Sequence, residues 1–370
     1  MVLFIYSALA LLENEDPNGE IDGDEAYFNF INSIKSESTK ALYENNLKLY
    51  MNFCGVTDFK ELLEIDAQRY IIRYVMSLRE KNLAGNSIKS RLNPVFHFYE
   101  MNEVTLNKKK IRMFKGEFIK KSRDRSYTHE EIKKILDVCD MRMKVVILLM
   151  ASTGCRIGAL PSLRLRHLEK NDNENIYKIT MYEGSNDQYI TFCTPECASF
   201  IDTYLEYRKN SGEAITKDSF VIRDQFDIND IEQIRNRSRG VSIHTFHSII
   251  ANVLLKAGLR TIDHTSRHNR KEVMMNHGFR KYFTNQLIEA GVTTEHRWLL
   301  EGHHLPGNDS SYVRATPKTL QQEYSKSIDN LTIDPANRLQ RKVEKLEVEK
   351  SEFEALAADI ARIKKKVNLR

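Results

Sequence analysis

The sequence predicts a mainly α-helical protein with one small β-hairpin. The chain of 370 residues contains 15 glycines and 7 prolines, too few for a turn-rich all-β fold. Along most of its length apolar residues recur at steps of three and four, the period of an amphipathic helix. Residues 176–182 and 188–192 differ: they are rich in β-branched and aromatic side chains and flank the polar segment 183–187. That arrangement is typical of two strands joined by a turn.

Composition limits the class of protein. The length allows two or three domains, and 41% hydrophobic with 29% charged residues excludes a disordered or fibrous chain. The five cysteines form no disulfide pattern, which indicates a reducing compartment. No apolar stretch approaches the roughly 20 residues that span a bilayer. We therefore expect a cytoplasmic protein.

Apolar stripes predict that residues 26–107 form a first domain, a small helical bundle. The stripes run over Tyr43–Cys54, Tyr70–Leu78 and Ile88–Tyr99. Pro94 lies inside the third stripe, where we expect either a kink or the first turn of the helix.

The net charge of +5 is unevenly distributed. Residues 1–25 hold seven acidic residues and no lysine or arginine, and we interpret them as a loosely attached extension. The rest of the chain carries 56 basic and 44 acidic residues, a net charge of +12, which suits a polyanionic partner.

The densest positive charge lies in residues 108–126, predicted as an interdomain linker. Either this linker is simply solvated, or it lies along DNA phosphates, where each neutralised phosphate releases counterions. Lys89 and Arg91, on the third predicted helix, either face DNA or are merely solvated. The candidate DNA contacts of the linker are Lys108, Lys109, Lys110, Arg112, Lys120, Lys121, Arg123 and Arg125.

A second domain is predicted over residues 127–331. Thr128 and Glu131 have the spacing of a capping box, which marks a helix start. The apolar run Val145–Ala151 predicts a buried helix that ends near Gly154. After the hairpin, we expect helices over 195–209, 244–257, 277–290 and 293–300.

Residues 332–370 form a tail that predicts a coiled coil or a long amphipathic helix. A single solvated helix packed on its own protein is the alternative. We expect the tail to add contacts between subunits. Its repeated apolar positions are Leu339, Val343, Leu346, Phe353, Ala357, Ile360 and Val367, interrupted by Lys350 and Lys364.

Five side chains of the second domain suit chemistry on a phosphodiester: Arg156, His277, Arg280, His303 and Tyr312. Arginines bind two oxygens of one phosphate and keep their charge at any relevant pH. Histidines move protons near neutrality. A tyrosine that loses its proton can attack phosphorus, while arginines stabilise the charge that builds up.

This set resembles the tyrosine recombinases of the integrase family, whose pattern Arg…His-x-x-Arg…Gly-His…Tyr it matches in order and spacing. The resemblance covers residues 26–325. It implies a helical, SAM-like core-binding domain that binds DNA, and an α+β catalytic domain, followed here by the coiled-coil-like helix. It also implies a nucleoid-associated enzyme that acts on specific double-stranded DNA sites as a tetramer, with no metal, ATP or other cofactor.

The resemblance implies a mechanism as well. Tyr312 attacks the scissile phosphodiester, which leaves a 3′-phosphotyrosine and a free 5′-hydroxyl, and a 5′-hydroxyl from a partner duplex then attacks the link. Arg156 and Arg280 clamp the non-bridging oxygens. His277 takes or assists the tyrosine proton, and His303 donates to the phosphate.

Two positions depart from the family pattern. The family has an acidic residue three positions after its first arginine, where this chain has Ala159. It also has a lysine in the hairpin that protonates the leaving 5′-hydroxyl, where this chain has Tyr182 and Glu183. Lys178, on the first strand, is the candidate substitute, and otherwise water or His304 must act.

Other interpretations remain open from sequence alone. They are a DNA-binding relative that has lost catalysis, a type IB topoisomerase with the same phosphotyrosine chemistry, and a structural adaptor. The sequence does not decide among integration, excision and dimer resolution, or whether Tyr312 acts in its own subunit or in the next.

Overall fold

The protein is described here by a computed structural model that covers residues 22–115, 124–235, 238–261, 272–305 and 315–367. The chain divides into two compact units, Met1–Lys121 and Ser122–Arg370.

Helices build the described part of the first unit. Aspartates begin three of them, since the carboxylates of Asp22, Asp58 and Asp66 accept hydrogen bonds from backbone N–H groups of the first turn. The predicted stripes are confirmed as helices, and they meet in one core around Phe30 and Tyr50. The helices are α1 Gly23–Asn32, α2 Glu37–Cys54, α3 Phe59–Glu64, α4 Ala67–Glu80, α5 Gly85–Met101 and α6 Lys108–Phe114.

Two features of this unit differ from the sequence-based expectation. Helix α5 continues through Pro94, which is buried in its interior rather than at its first turn. Residues 108–114, assigned to the linker from their charge, form α6 instead. The Asn107 side chain accepts a hydrogen bond from Lys110 N at 2.9 Å, and Ile111 is fully buried in the core. Because one apolar side chain anchors this basic turn, periodicity gave little sign of a helix.

The second unit surrounds a three-stranded antiparallel sheet of order β1-β2-β3. The capping box at Thr128 is confirmed, and so is the hairpin. Strand β1 was not predicted, because its four residues include two exposed charged side chains and show no apolar alternation. The elements are α7 His129–Asp137, α8 Met141–Thr153, β1 Leu168–Asn171, β2 Ile176–Met181, β3 Tyr189–Phe192, α9 Pro195–Asn210, α10 Ile231–Arg235, α11 Ile243–Lys256, α12 His277–Glu289, α13 Thr294–Leu300, α14 Pro317–Ser325, α15 Ile328–Leu331 and α16 Pro335–Val367.

Helix α8 is the centre of this unit, as its apolar sequence predicted. Ten of its 13 residues are buried, and it packs against α9 and α12. It ends at Gly154, whose φ of 60° is left-handed and whose added Cβ would lie 2.4 Å from the Phe283 ring. The chain therefore turns sharply away from the core at residue 154.

A buried ion cluster holds the irregular segment after α9. Glu213 accepts hydrogen bonds from Arg208 at 2.9 and 2.6 Å and from Arg223 at 3.0 Å, and both guanidiniums are almost fully buried. Burial alone would raise the pKa of Glu213, but the hydrogen bonds and charges of the two arginines outweigh it, and its pKa is lowered.

The tail helix α16 is fixed to the second unit at its base. Glu196 accepts hydrogen bonds from Ile333 N at 2.8 Å and Asp334 N at 3.0 Å, and Asp329 pairs with Arg341 at 2.9 Å. From residue 342 to residue 360 every side chain of the helix is exposed. Among the described residues, no helix is long and apolar enough to cross a membrane.

Replacing Glu213 with alanine is expected to lower the free energy of unfolding by about 3–5 kcal/mol, because the buried guanidinium of Arg208 loses its counter-charge and that of Arg223 keeps only the partly exposed Asp224. Glu206→Ala, an exposed change on α9, is the control and should cost no more than about 0.5 kcal/mol. Urea unfolding measures both variants. Equal stabilities of the two would contradict a structural role for the cluster.

Candidate active site

Arg156 follows the end of α8 by three residues. Cys155 is buried, and its N–H donates to Thr153 Oγ1 at 3.2 Å, so the chain leaves the core at Arg156. The Arg156 side chain is exposed, and the residue immediately precedes the 3₁₀ turn Ile157–Ser162. Its guanidinium donates no hydrogen bond to another residue in the described part of the chain.

Arg280 lies on the first turn of α12 and connects three parts of the unit. Its Nη1 donates to the Gly154 carbonyl at 2.7 Å, and its Nη2 donates to the Glu301 carbonyl at 2.6 Å. These two bonds hold the guanidinium between the end of α8 and the end of α13. His277 is the first residue of α12 and is exposed.

His303 lies directly beside Arg280. Its Nε2 is 3.0 Å from Arg280 Nη2 and 3.3 Å from Glu301 Oε2. The preceding residue, Gly302, has a φ of 68°, and an added Cβ would lie 2.5 Å from the Tyr189 ring. Burial lowers the pKa of His303, and the positive charges of Arg280 and Arg156 lower it further, whereas Glu301 raises it. The ring is therefore neutral at pH 7.

Glu301 is a buried carboxylate that sequence reasoning missed. It is 4% exposed, and its Oε1 accepts a hydrogen bond from Thr284 Oγ1 at 2.7 Å. The family's expected acidic position is occupied by Ala159, which is buried. The sequence signal that could have identified Glu301 is an acidic residue directly before Gly302. Its contacts with Thr284 and His303, however, form only in the folded chain.

The hairpin lies next to this group. The charges of Arg156 and Arg280 both lower the pKa of Tyr182, although burial, the larger effect, raises it overall. Lys178, the candidate general acid, pairs with Glu169 on β1 at 2.6 Å. Arg280 and His303 are thus in contact and the Tyr182 hydroxyl lies beside Gly158 in the segment after Arg156, while the Lys178 ammonium is held by a carboxylate on the neighbouring strand.

The other sequence-predicted residues have varied surroundings. Tyr312, Lys120, Lys121 and Arg123 lie outside the described residues. Arg125 is paired with Glu131 at 2.7 Å and Glu272 at 2.8 Å, and these two carboxylates raise its pKa.

In the first unit, the basic candidates are mostly on the surface. Lys89 and Arg112 are exposed, as are Lys109 and Lys110, and Arg91 is half-buried. Lys108 pairs with Glu100 at 3.0 Å. The exposed side chains of α5 and α6 are therefore available to an anionic partner.

Comparison with known proteins decides the family. The model of the phage integrase family matches residues 125–317, a range that contains all five proposed active-site residues. The chain belongs to the phage integrase family. It is a tyrosine recombinase, an enzyme that breaks and rejoins DNA.

Relatives with curated names agree with this assignment. The recombinase is 22% identical to tyrosine recombinase XerA of Pyrococcus horikoshii over 77% of this chain and 88% of the relative. It is 22% identical to tyrosine recombinase XerC of Leptospira interrogans over 80% of this chain and 91% of the relative.

Solved structures share the fold. The Tn1549 transposon integrase in complex with transposon right end DNA aligns with a TM-score of 0.53 at 12% identity, over 82% of this chain and 99% of that one. The XerH recombinase bound to its difH substrate aligns with a TM-score of 0.50 at 14% identity, over 83% and 90%. The mainly helical architecture with a small sheet is therefore that of tyrosine recombinases.

Replacing Glu301 with glutamine should lower the pKa of His303 further below 6.5, because a negative charge that favours the imidazolium is removed. The amide oxygen can still accept the hydrogen bond from Thr284. An NMR titration of the His303 ring protons measures the change, with the exposed Glu295→Gln as control. An unchanged or higher pKa in Glu301→Gln would contradict the described contact.

Proposed function

We propose that this recombinase exchanges DNA strands at specific sites through a covalent bond between Tyr312 and a 3′-phosphate. The observation that supports it most is the position of Arg280, held by two backbone carbonyls beside His303 while Arg156 is exposed nearby. A charged group fixed in this way is prepared to bind a phosphate without rearrangement.

The two arginines would bind the non-bridging oxygens of the scissile phosphate. A guanidinium stays charged at any physiological pH and presents parallel N–H groups to two oxygens. Charge on the phosphorus oxygens increases as Tyr312 attacks, so the arginines stabilise the transition state more than the bound substrate. Removing one such donor typically costs about 10²–10³-fold in rate.

The histidines would assist with protons. His303 Nε2 contacts both an N–H group of Arg280 and the Glu301 carboxylate. In the neutral tautomer that accepts from Arg280, the ring proton lies on Nδ1 and can be donated to a phosphate oxygen. His277, exposed on the same helix as Arg280, would take the proton of Tyr312. The phosphotyrosine retains the energy of the broken bond, and a 5′-hydroxyl from a second duplex can then rejoin the strand.

The first unit would make many of the contacts with the DNA backbone. Lys89, Lys109, Lys110 and Arg112 are exposed on α5 and α6, and such side chains contact phosphates without reading sequence. The structural neighbours named above are complexes of other recombinases with DNA. We extend DNA binding to this chain on the basis of its basic surface and its family.

The tail helix would join subunits as a parallel coiled coil with a second copy. Leu339, Leu346, Phe353 and Ile360 recur every seven residues and are 64%, 54%, 71% and 46% exposed. These are core d positions of a heptad repeat.

Charges on the helix favour this partner. With the apolar residues at d, Lys350 occupies an a position and would lie between Glu349 and Glu354 of the second copy. Lys342 at g would face Glu347 at e of the second copy, and Lys350 would offset the repulsion between Glu349 at g and Glu354 at e. Opposite charges at these positions set partner and orientation.

We predict that Leu346→Glu combined with Phe353→Glu weakens self-association of the full chain, because two core layers become charged. Ser351→Glu combined with Ala358→Glu adds the same charges at outward b positions and should associate like the wild type. Sedimentation velocity over a concentration series measures this. A monomeric wild type, or equal association of all three proteins, would contradict the coiled coil.

We predict that the wild type accumulates a covalent adduct on a nicked suicide duplex, whereas Tyr312→Phe forms none. The duplex carries a site selected from random DNA by binding to the Tyr312→Phe protein. Arg280→Lys should reduce adduct formation by at least about 100-fold, since an ammonium cannot bridge the same groups. An adduct that persists in Tyr312→Phe would overturn the proposal.

A further inference from the structure

Strand cleavage requires an acid that the residues discussed so far do not supply. When the bond between phosphorus and the 5′-oxygen breaks, that oxygen leaves with a negative charge. Such an oxygen is strongly basic, as water with a pKa of 15.7 shows, and it needs a proton as the bond breaks. The arginines cannot give up a proton, and the two histidines act on Tyr312 and on the phosphate in the proposed mechanism.

We propose that Tyr182 is the general acid that protonates the leaving 5′-oxygen. The assignment rests on the proposed strand-cleavage function and adds a catalytic residue to it. Tyr182 directly follows β2, at the start of the hairpin turn.

The position of the Tyr182 hydroxyl supports this role. It lies 3.5 Å from the point where a Cβ on Gly158 would be, and Gly158 is two residues beyond Arg156. On the other side, the Tyr182 ring is 6.4 Å from the ring of Tyr189, which packs against Gly302 next to His303. The hydroxyl therefore lies beside the segment that carries Arg156, and the ring neighbours the tyrosine that packs against the segment carrying His303.

The Tyr182 hydroxyl is also available. The side chain is half-buried, and its oxygen makes no hydrogen bond to any residue that the structure describes. Its backbone has a φ of 54°, in the left-handed region that a tyrosine rarely adopts. The turn thus holds an aromatic residue where glycine or asparagine would be less strained, and strain of this kind is concentrated at functional sites.

Lys178 is less well placed for the same task. It lies four residues earlier, within β2, roughly 13 Å away at about 3.3 Å per residue of extended chain. Its ammonium pairs with Glu169 at 2.6 Å. The turn itself, residues 182–188, contains no lysine.

The chemistry of a phenol fits the step. Free tyrosine and lysine side chains have similar pKa values, about 10 and 10.4, so a phenol replaces an ammonium as an acid of equal strength. Burial raises the pKa of Tyr182 and keeps it protonated at neutral pH, while Arg156 and Arg280 stabilise the phenolate that forms.

The protons and bonds balance over the two steps. In cleavage, the bond from Tyr312 to phosphorus forms as the Tyr312 proton moves to His277, the bond to the 5′-oxygen breaks, and the Tyr182 proton moves to that oxygen. In rejoining, the incoming 5′-hydroxyl gives its proton to Tyr182 as it bonds to phosphorus, the bond to Tyr312 breaks, and His277 returns the proton to the Tyr312 oxygen.

The test uses the suicide duplex after its scissile phosphate has been mapped. It compares two leaving groups at that phosphate: the natural 5′-oxygen and a 5′-bridging sulfur. A thiolate leaves without a proton, since a thiol has a pKa near 8.5. We expect Tyr182→Phe to form adduct about 10²–10⁴-fold more slowly than wild type on the oxygen substrate and within about threefold of it on the sulfur substrate. Tyr207→Phe, which removes the hydroxyl of an exposed tyrosine on α9, should form adduct at the wild-type rate on both substrates.

Each result has a distinct meaning. Unimpaired cleavage of the oxygen substrate by Tyr182→Phe overturns the assignment, as does a defect that remains on sulfur. A Lys178→Ala defect rescued by sulfur, with Tyr182→Phe unaffected, would give the role to Lys178. If wild type forms no adduct on either substrate, the proposed function itself fails.

Discussion

The hydrogen bonds of one guanidinium organise the proposed active site. Arg280 joins the Gly154 carbonyl at the end of the central helix to the Glu301 carbonyl at the end of α13. Those carbonyls would otherwise lack helix partners, and the arginine satisfies both while its side chain stays partly exposed. The position of Arg156, two residues after Gly154, and of His303, two residues after Glu301, follows from this arrangement.

Tight packing of glycine against aromatic rings sets the directions of these segments. Gly154 faces Phe283 and Gly302 faces Tyr189 so closely that a methyl group would collide with either ring. Both glycines have left-handed backbone, which other residues adopt at a cost. The side chains proposed to be catalytic therefore leave the core at points where backbone and ring are in direct contact, which limits their freedom before DNA binds.

Local signals in the sequence predicted much of this fold. The capping box at Thr128 and the apolar run of α8 depend on neighbouring residues, so the pattern alone revealed them. Helix α6 was taken for a linker, because the charges of a basic segment obscured the cap at Asn107 and the anchor at Ile111. The order of arginines, histidines and tyrosine identified the family, since that order is specific.

The remaining parts of the site depend on contacts distant in sequence. The role of Glu301 follows from its contacts with Thr284 and Arg280, and the role of Tyr182 follows from its position beside the backbone near Gly158. These partners are distant in sequence, so no spacing predicted either role. The buried cluster around Glu213 is another example, because a charged residue in a polar segment gives no sign of burial. The periodicity of apolar residues thus predicts helices and strands, whereas the pairing of buried charged residues is visible only in the folded structure.

A structure of the Tyr312→Phe protein bound to an intact duplex of its selected site tests the central claim most directly. The account predicts that the non-bridging oxygens of one phosphate lie about 2.7–3.2 Å from the guanidinium nitrogens of both Arg156 and Arg280, with the ring at position 312 of the same or a neighbouring subunit facing that phosphorus. A scissile phosphate bound away from either arginine, or a ring at position 312 far from it in every subunit, would contradict the account.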